Sequence, residues 1–177
     1  MRFALFERPE GVETEPRSLV VYDLERNAAH GGEDRVSGPA VVWALGGEDE
    51  DATLVVDVEL DPAADWIVRC DRVDFPPGGV AHRHVHPGPG IRRLLYGSLT
   101  IDAPAGTRGV HPGDAWFEGI DEPVLATASP GEDTAFVRVL LLPAEWAGKR
   151  SIRYLDPADD EKPKLQRATV LLEKPLG

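Results

Sequence analysis

The sequence predicts an all-β fold in which short antiparallel strands form a sandwich or barrel. The 177-residue chain contains 18 glycines and 16 prolines, and no long segment lacks both, so few places remain for helices. Apolar runs recur about every 8–12 residues with turn-forming residues between them, a spacing typical of sandwiches and barrels. The length is ample for one domain with a sizeable core.

The N-terminal third predicts strands separated by irregular segments. Residues 1–17 mix charge, proline and glycine and are expected to form an irregular arm, whereas residues 18–24 are predicted to be a strand. Residues 25–38 contain three glycines and are expected to form a loop. The apolar runs 39–45 and 53–60 flank a polar segment, a pattern that predicts a hairpin.

The central region predicts the most regular succession of strands. Residues 66–75 alternate imperfectly between apolar and polar side chains, which is typical of a strand packed on both faces. Gly97 interrupts an apolar run and indicates a bulge, a turn or a close backbone approach. Further strands are predicted at 82–86, 91–96, 98–102, 115–118, 124–128 and 134–142.

The C-terminal region predicts two more strands, at 151–155 and 166–172. The chain shows no internal repeat, so we expect a single structural domain. An open sheet edge in the tail favours pairing with a second copy of the chain, and we therefore expect a homodimer.

Charge and composition exclude several partners. The formal net charge is −12, acidic residues concentrate in the N-terminal third, and no basic stripe is present to bind nucleic acid. The chain has one cysteine, Cys70, which cannot form an internal disulfide. Neither a signal-peptide core nor a run of about 18 apolar residues is present, so we expect a cytoplasmic protein without a membrane partner.

Three of the five histidines lie two residues apart in a frame of glycines and prolines. His82, His84 and His86 are followed at once by Pro-Gly-Pro-Gly. Side chains two apart in an extended strand point to the same face, so the three imidazoles are expected to line one face. Imidazoles arranged in this way favour a divalent metal site over a polar strand edge with clustered histidines.

The glycine spacing around these histidines resembles the first motif of the cupin superfamily. Gly78 is followed after five intervening residues by His84-Val-His86, and Gly90 is followed after six intervening residues by Gly97. The glutamate position of that motif holds Gly90, or Ile91 with one more residue of spacing.

The second cupin motif is matched less completely. Pro112-Gly-Asp114 supplies its turn, but its histidine position falls at Val124 in one count and at Glu122 in the other. The resemblance covers residues 66–143. It implies a cupin-type jelly-roll β-barrel there, with extra N-terminal strands at 1–65 and a C-terminal extension at 144–177.

The resemblance also implies a metal site, because cupins commonly bind Fe, Mn, Zn, Ni or Cu through three histidines and one carboxylate. Only His84 and His86 match that set directly. His82 is a third candidate ligand, although its distance along the strand lets one metal bind all three only if the strand bends. Glu118 and Glu122 are candidates for the missing carboxylate and for a catalytic base.

Arg92 and Arg93 lie side by side in a predicted central strand. One of them must face inward or meet a partner, and an inward arginine suits either a salt bridge or a substrate carboxylate.

These features give three functional hypotheses. The first is a metal-dependent enzyme acting on a small organic molecule, with dioxygenase-like or isomerase/lyase-like chemistry. The second is a non-catalytic cupin that binds or senses a small molecule, which the missing motif residues favour. The third is a structural oligomer in which the histidines have no ligand role.

Overall fold

A computed structural model of the chain describes residues 1–13, 18–32, 34–46 and 50–177. Its regular structure is almost entirely strand, and every strand pair in the described residues is antiparallel. The predicted all-β class is therefore confirmed. No helix in these residues is long and apolar enough to cross a membrane.

The N-terminal third forms a five-stranded sheet of its own. Its strands are β1 (Arg2–Arg8), β3 (Ser18–Asp23), β4 (Ala28–Gly31), β6 (Ala40–Leu45) and β7 (Leu54–Asp57), in the order β4-β3-β6-β1-β7. Two short strands, β2 (Gly11–Val12) and β5 (Val36–Ser37), pair with each other.

Strand β1 overturns two of the predictions for this region. Residues 1–17 were expected to form an arm, but β1 is an inner strand whose Phe3 and Leu5 are fully buried. It lies between β6 and β7, so the predicted hairpin of these two strands is also wrong. A four-residue apolar run becomes a strand here because distant partners bury it. The polar segment expected to be the hairpin turn includes residues 47–49, which lie outside the described residues.

The rest of the chain forms two facing five-stranded sheets. The strands are β8 (Trp66–Phe75), β9 (Val80–Val85), β10 (Gly90–Tyr96), β11 (Leu99–Ala103), β12 (Gly106–Val110), β13 (Ala115–Glu118), β14 (Val124–Ala128), β15 (Thr134–Pro143), β16 (Arg153–Tyr154) and β17 (Arg167–Pro175). We call the sheet ordered β13-β10-β15-β8-β17 the inner sheet, and the one ordered β12-β11-β14-β9-β16 the outer sheet.

The strand order is that of a jelly roll. Strands pair in nested fashion, β8 with β15, β9 with β14, β10 with β13 and β11 with β12. Each successive strand from β8 to β15 enters the opposite sheet, except that β11 and β12 form a hairpin. The predicted cupin-type jelly roll is confirmed by this order.

The N-terminal sheet packs on the barrel instead of continuing it. Among the described residues, its strands pair only with one another, and their apolar side chains meet the far face of the inner sheet in a common core. The indole Nε1 of Trp43 donates to the Ile91 carbonyl at 3.1 Å, which joins the two layers. The inner sheet is thus buried on both faces, as the imperfect alternation of residues 66–75 predicts.

The C-terminal region adds one strand to each barrel sheet. Strand β16 pairs with β9, and β17 pairs with β8. A 3₁₀ turn at Ala144–Trp146 lies between β15 and β16, and a short helix α1 (Ala158–Glu161) lies between β16 and β17. Residues 148–152, 164 and 166 of these connections line the cavity between the two barrel sheets.

Candidate metal centre

The barrel encloses a cavity of about 500 Å³ between its two sheets. One part of its wall is apolar and includes Phe75, Ile101 and Phe136. The other part carries arginines and carboxylates on inward-facing positions of β8, β10, β13 and β15, and His84 and His86 at the end of β9. Because strands alternate their side chains, the arginines and carboxylates of the inner sheet share its face opposite the N-terminal sheet.

Two histidines and one glutamate form a compact buried cluster in this wall. One ligand atom from each of His84, His86 and Glu118 lies within 4.8 Å of the others. The Nε2 atom of His86 is 3.6 Å from Oε2 of Glu118. The two imidazole rings meet edge to face, with centroids 4.9 Å apart.

Backbone carbonyls orient both imidazoles. Nδ1 of His84 lies 2.6 Å from the His82 carbonyl oxygen, and Nδ1 of His86 lies 2.5 Å from that of Ser151. A carbonyl only accepts, so each Nδ1 donates a proton and each Nε2 keeps its lone pair. Such a hydrogen bond commonly fixes the tautomer of a metal-binding histidine.

Burial keeps both histidines neutral. It lowers the pKa of His84 to about 4. It also lowers the pKa of His86 well below its ordinary value, with further lowering by the positive charges of Arg138 and Arg92. The neutral imidazole is the form that binds a metal.

Glu118 stands directly across from the glycine that occupies the motif's glutamate position. Gly90 of β10 pairs with Glu118 of β13. A Cβ atom on Gly90 would lie 2.4 Å from Cδ2 of Leu140 and 2.9 Å from the backbone carbonyl oxygen of Val139, which cannot move aside as a side chain can. No side chain fits at position 90, and the carboxylate of Glu118 enters the cavity from the neighbouring strand β13 instead.

Two buried neighbours hold this carboxylate. Trp116 Nε1 donates to Oε1 of Glu118 at 2.9 Å. Nη2 of Arg92 forms an ion pair with Oε2 at 2.6 Å. Each carboxylate oxygen thus has its own positioning contact.

Val124 occupies the position that the spacing from Gly113-Asp114 assigns to the second-motif histidine. It pairs with His84 across β14 and β9 and lines the cavity. The spacing therefore identifies a position beside the cluster of His84, His86 and Glu118, but the valine there has no metal-binding group.

A β-bulge separates His82 from the other two histidines. Val124 of β14 pairs with His84 of β9, and Ala126 of β14 pairs with Ala81 of β9. Two residues of β14 are therefore matched by three residues of β9. The extra residue in β9 shifts the alternation, so Ala81 and His84 both face the cavity. The expectation that all three histidines share one face is corrected. His82 instead lies with Nδ1 3.9 Å from Oδ1 of Asp159, and its side chain is 28% exposed.

Glu122 also lies apart from the cluster. Its Oε2 accepts a hydrogen bond from the Gly119 amide at 2.8 Å and so closes the loop after β13. It is not among the described residues that line the cavity.

The two adjacent arginines face opposite ways, as the alternation requires. Arg92 is fully buried and lines the cavity. Arg93 points to the N-terminal sheet, where its Nε donates to Oε1 of Glu7 at 2.9 Å.

Sequence reasoning missed a second buried ion pair in the same wall. Arg138 donates to Oδ2 of Asp71 through Nη2 at 2.8 Å and through Nε at 3.1 Å. Its Nη1 lies 3.3 Å from Nε2 of His86. A single arginine within the apolar run 134–142 was the signal, because charged residues are rarely buried without a partner.

Comparisons with known proteins return solved structures only. No family model matches the chain, and no curated protein matches it. The chain is similar to the polyketide cyclase RemF from Streptomyces resistomycificus, at 22% identity over 59% of this chain and 74% of that one, with a TM-score of 0.43. It is also similar to an RmlC-like cupin from Shewanella frigidimarina, at 14% identity over 44% of this chain and 68% of that one, with a TM-score of 0.40.

A third similar structure is the DMSP lyase DddQ from Ruegeria pomeroyi, at 21% identity and a TM-score of 0.44. The match covers 51% of this chain but only 44% of the lyase. Likenesses this distant do not transfer an activity, and the jelly-roll assignment depends on the strand order itself.

Proposed function

We propose that this protein is a metal-dependent enzyme acting on a small organic molecule in the barrel cavity. The observation that carries the proposal is the buried cluster of His84, His86 and Glu118, whose ligand atoms lie within 4.8 Å. It opens on a largely apolar cavity of a size that suits a small organic ligand.

The donor set fits a divalent ion. Two neutral imidazoles and one carboxylate suit Fe, Mn, Zn, Ni and Cu, and a three-ligand set leaves positions open for a substrate. Such an ion supplies Lewis-acid polarisation of a bound oxygen, or electron transfer if it is redox-active. The choice between dioxygenase-like and isomerase/lyase-like chemistry depends on which metal is bound.

The residues around the cluster have positioning roles in this proposal. The His82 and Ser151 carbonyls hold the two imidazoles with Nε2 unprotonated, and Trp116 and Arg92 hold Glu118. A metal ion at His86 would replace the contact of its Nε2 with Nη1 of Arg138. Glu118 is the proposed carboxylate ligand, and it is also the carboxylate best placed to accept a substrate proton. His82 and Glu122 are left out because neither lines the cavity.

A non-catalytic cupin that binds a small molecule is the second candidate. It is favoured by Val124 at the second-motif histidine position and by the contacts of Arg92 and Arg138 with the cluster. These contacts already provide charged partners for Glu118 and His86 without a metal.

Elemental analysis of untagged protein tests the metal centre. We expect about one transition-metal ion per chain in the wild type and a loss of metal in the double variant His84→Ala/His86→Ala. His111→Ala is the matched control, because the His111 side chain is 73% exposed. Absence of metal from the wild type, or its retention in the double variant, would reject the centre.

Turnover separates the two candidates. Metal-loaded wild type is incubated with a panel of small organic molecules, and product formation is followed by mass spectrometry. An enzyme gives a product that Glu118→Gln forms at least about a hundredfold more slowly. Binding without turnover favours the second candidate.

We also propose that the protein is a homodimer in the cytoplasm, with neither nucleic acid nor membrane as partner. The support for a dimer is strand β17, which pairs with β8 on one side only and exposes 54% of Val170. Light scattering coupled to size-exclusion chromatography measures the mass directly, and a monomer would reject the dimer.

A further inference from the structure

The cavity wall has a charge opposite to that of the whole chain. The formal net charge of the protein is −12, yet basic residues outnumber acidic ones in the lining. The basic residues are Arg69, Arg92, Arg138, Lys149, Arg150 and Lys164, and the acidic ones are Asp71, Glu118 and Glu173. A cationic recess in an acidic protein favours an anionic ligand.

Most of the deep cations are already satisfied by the protein. Arg69 donates to Oε2 of Glu173 at 2.6 Å and to the carbonyls of Lys149 and Trp146, each at 2.7 Å. Arg138 is held by Asp71. These two guanidinium groups serve the structure of the wall.

Arg92 differs from both. Only its Nη1 has a hydrogen bond, to the Gly90 carbonyl at 2.6 Å. Nε and Nη2 have no hydrogen-bond acceptor among the described residues, although Nη2 lies 2.6 Å from Oε2 of Glu118 in an ion pair. A buried N–H without an acceptor is unfavourable, so this edge of the guanidinium favours an incoming acceptor.

The Nε–Nη2 edge has the geometry of a carboxylate receptor, and its Nη2 already contacts one carboxylate, that of Glu118. Nε and Nη2 of an arginine form a planar fork that binds two carboxylate oxygens at once. If a metal ion takes Glu118 as a ligand, the negative charge of that carboxylate is shared between the metal and Arg92. A second carboxylate, brought by the ligand, would balance the charge of the buried site.

We infer that the ligand is a small organic acid whose carboxylate is bound by the Nε–Nη2 edge of Arg92. The apolar wall formed by Phe75, Ile101 and Phe136 receives the rest of the molecule. The inference rests on the proposed function for the position of the carboxylate beside the metal centre. Exposed cations of the lining, Arg150 among them, attract such an anion from solution.

Matched acids and amides test this inference. The probes are benzoate, phenylacetate and 3-phenylpropionate, each compared with its primary amide, which has nearly the same shape without the charge. Dissociation constants are measured by isothermal titration calorimetry on wild-type protein of known metal content. At least one acid is expected to bind about tenfold or more tightly than its amide.

The variant Arg92→Gln is expected to reduce this preference to within about threefold. Arg108→Gln is the control, because Arg108 is an exposed residue of β12 and does not line the cavity. Circular dichroism establishes that each variant is folded. If Arg92→Gln does not fold, Arg92→Lys replaces it; the single ammonium group keeps the charge but not the fork, and is expected to weaken the preference.

The inference is overturned if no acid binds more tightly than its amide, or if the preference survives unchanged in the folded Arg92 variant. Its failure is distinguishable from failure of the metal centre. Wild type without metal that still selects acids through Arg92 rejects the centre and supports the organic-acid ligand. Metal-loaded wild type that does not prefer the acids over their amides supports the metal centre and rejects the organic-acid ligand.

Discussion

The two faces of the inner barrel sheet are both buried, but one is apolar and the other carries charged side chains. On β15, Val137 and Val139 point to the N-terminal sheet, whereas Phe136 and Arg138 point into the cavity. On β10, Ile91 joins the apolar core, while Arg92 lines the cavity. The same strands therefore supply both a dry interface and a polar site.

The difference shows where stability and function are separated in this fold. The face against the N-terminal sheet buries aliphatic and aromatic side chains and provides the hydrophobic contribution to stability. The cavity face buries three arginines, Arg69, Arg92 and Arg138, each beside a carboxylate partner, and such pairs seldom add net stability. The N-terminal strands allow the barrel to hold a charged interior, because they give the inner sheet a second core.

The strongest test of this comparison is Trp43→Ala. The side chain is fully buried between the N-terminal sheet and the barrel and donates to the Ile91 carbonyl. We expect the free energy of unfolding to fall by about 5 kcal/mol, as measured by urea denaturation. Leu165→Ala is the control, since Leu165 is 54% exposed. A loss of only about 1 kcal/mol for Trp43→Ala would mean that the N-terminal sheet contributes little to stability.

On the cavity face, Asp71→Leu is expected to have the next largest effect. The change leaves the guanidinium of Arg138 buried without its carboxylate, and we expect a loss of about 3 kcal/mol. The double variant Asp71→Leu/Arg138→Leu is expected to regain most of that stability, as measured by the same denaturation experiment. A double variant that is no more stable than the single one would show that the pair itself stabilises the barrel.

The buried histidines predict an acid sensitivity that belongs to the cavity face. Burial lowers the pKa of His84 from 6.5 to about 4, so the unfolded state binds more protons between these values. The stabilising contribution is full above about pH 6.5 and is lost as the pH falls toward 4, with about 2 kcal/mol lost at pH 5. Denaturation with a chelator present, at several pH values, measures this slope.

The matched variants for this slope are His84→Gln and His111→Gln. His84→Gln is expected to reduce the slope between pH 6.5 and 4, with the part due to His86 remaining, whereas His111→Gln, on the exposed turn before β13, is expected to leave it unchanged. Equal slopes in wild type and His84→Gln would contradict the assignment of the acid sensitivity to the buried imidazole.

The smallest effect is expected where the two regions meet at the surface. Arg93 and Glu7 form an ion pair between the barrel and the N-terminal sheet, with side chains 15% and 32% exposed. A double-mutant cycle with Arg93→Gln and Glu7→Gln should give a coupling energy of about 0.5 kcal/mol. A coupling of about 2 kcal/mol would mean that this ion pair, and not only the apolar core, holds the layers together.

Local patterns predicted the parts of the fold and site that depend on neighbouring residues. The alternation around Arg92 and Arg93 required one of them to face inward, and it is Arg92. The spacing from Gly113-Asp114 located Val124 beside His84. The arm predicted at 1–17 was wrong because strand formation by Phe3 and Leu5 depends on partners far away in the chain.

The sequence alone predicted the all-β class from its turn residues, and its resemblance to the cupins predicted the jelly roll and His84 and His86 as candidate metal ligands, because turn residues and glycine spacing act over a few positions. Only the tertiary structure decided which groups join that pair. Strand pairing brings Glu118 opposite Gly90, and a bulge in β9 turns His82 away from the cavity. Register between strands and the place of a bulge are set by long-range hydrogen bonding and packing, which local periodicity does not encode.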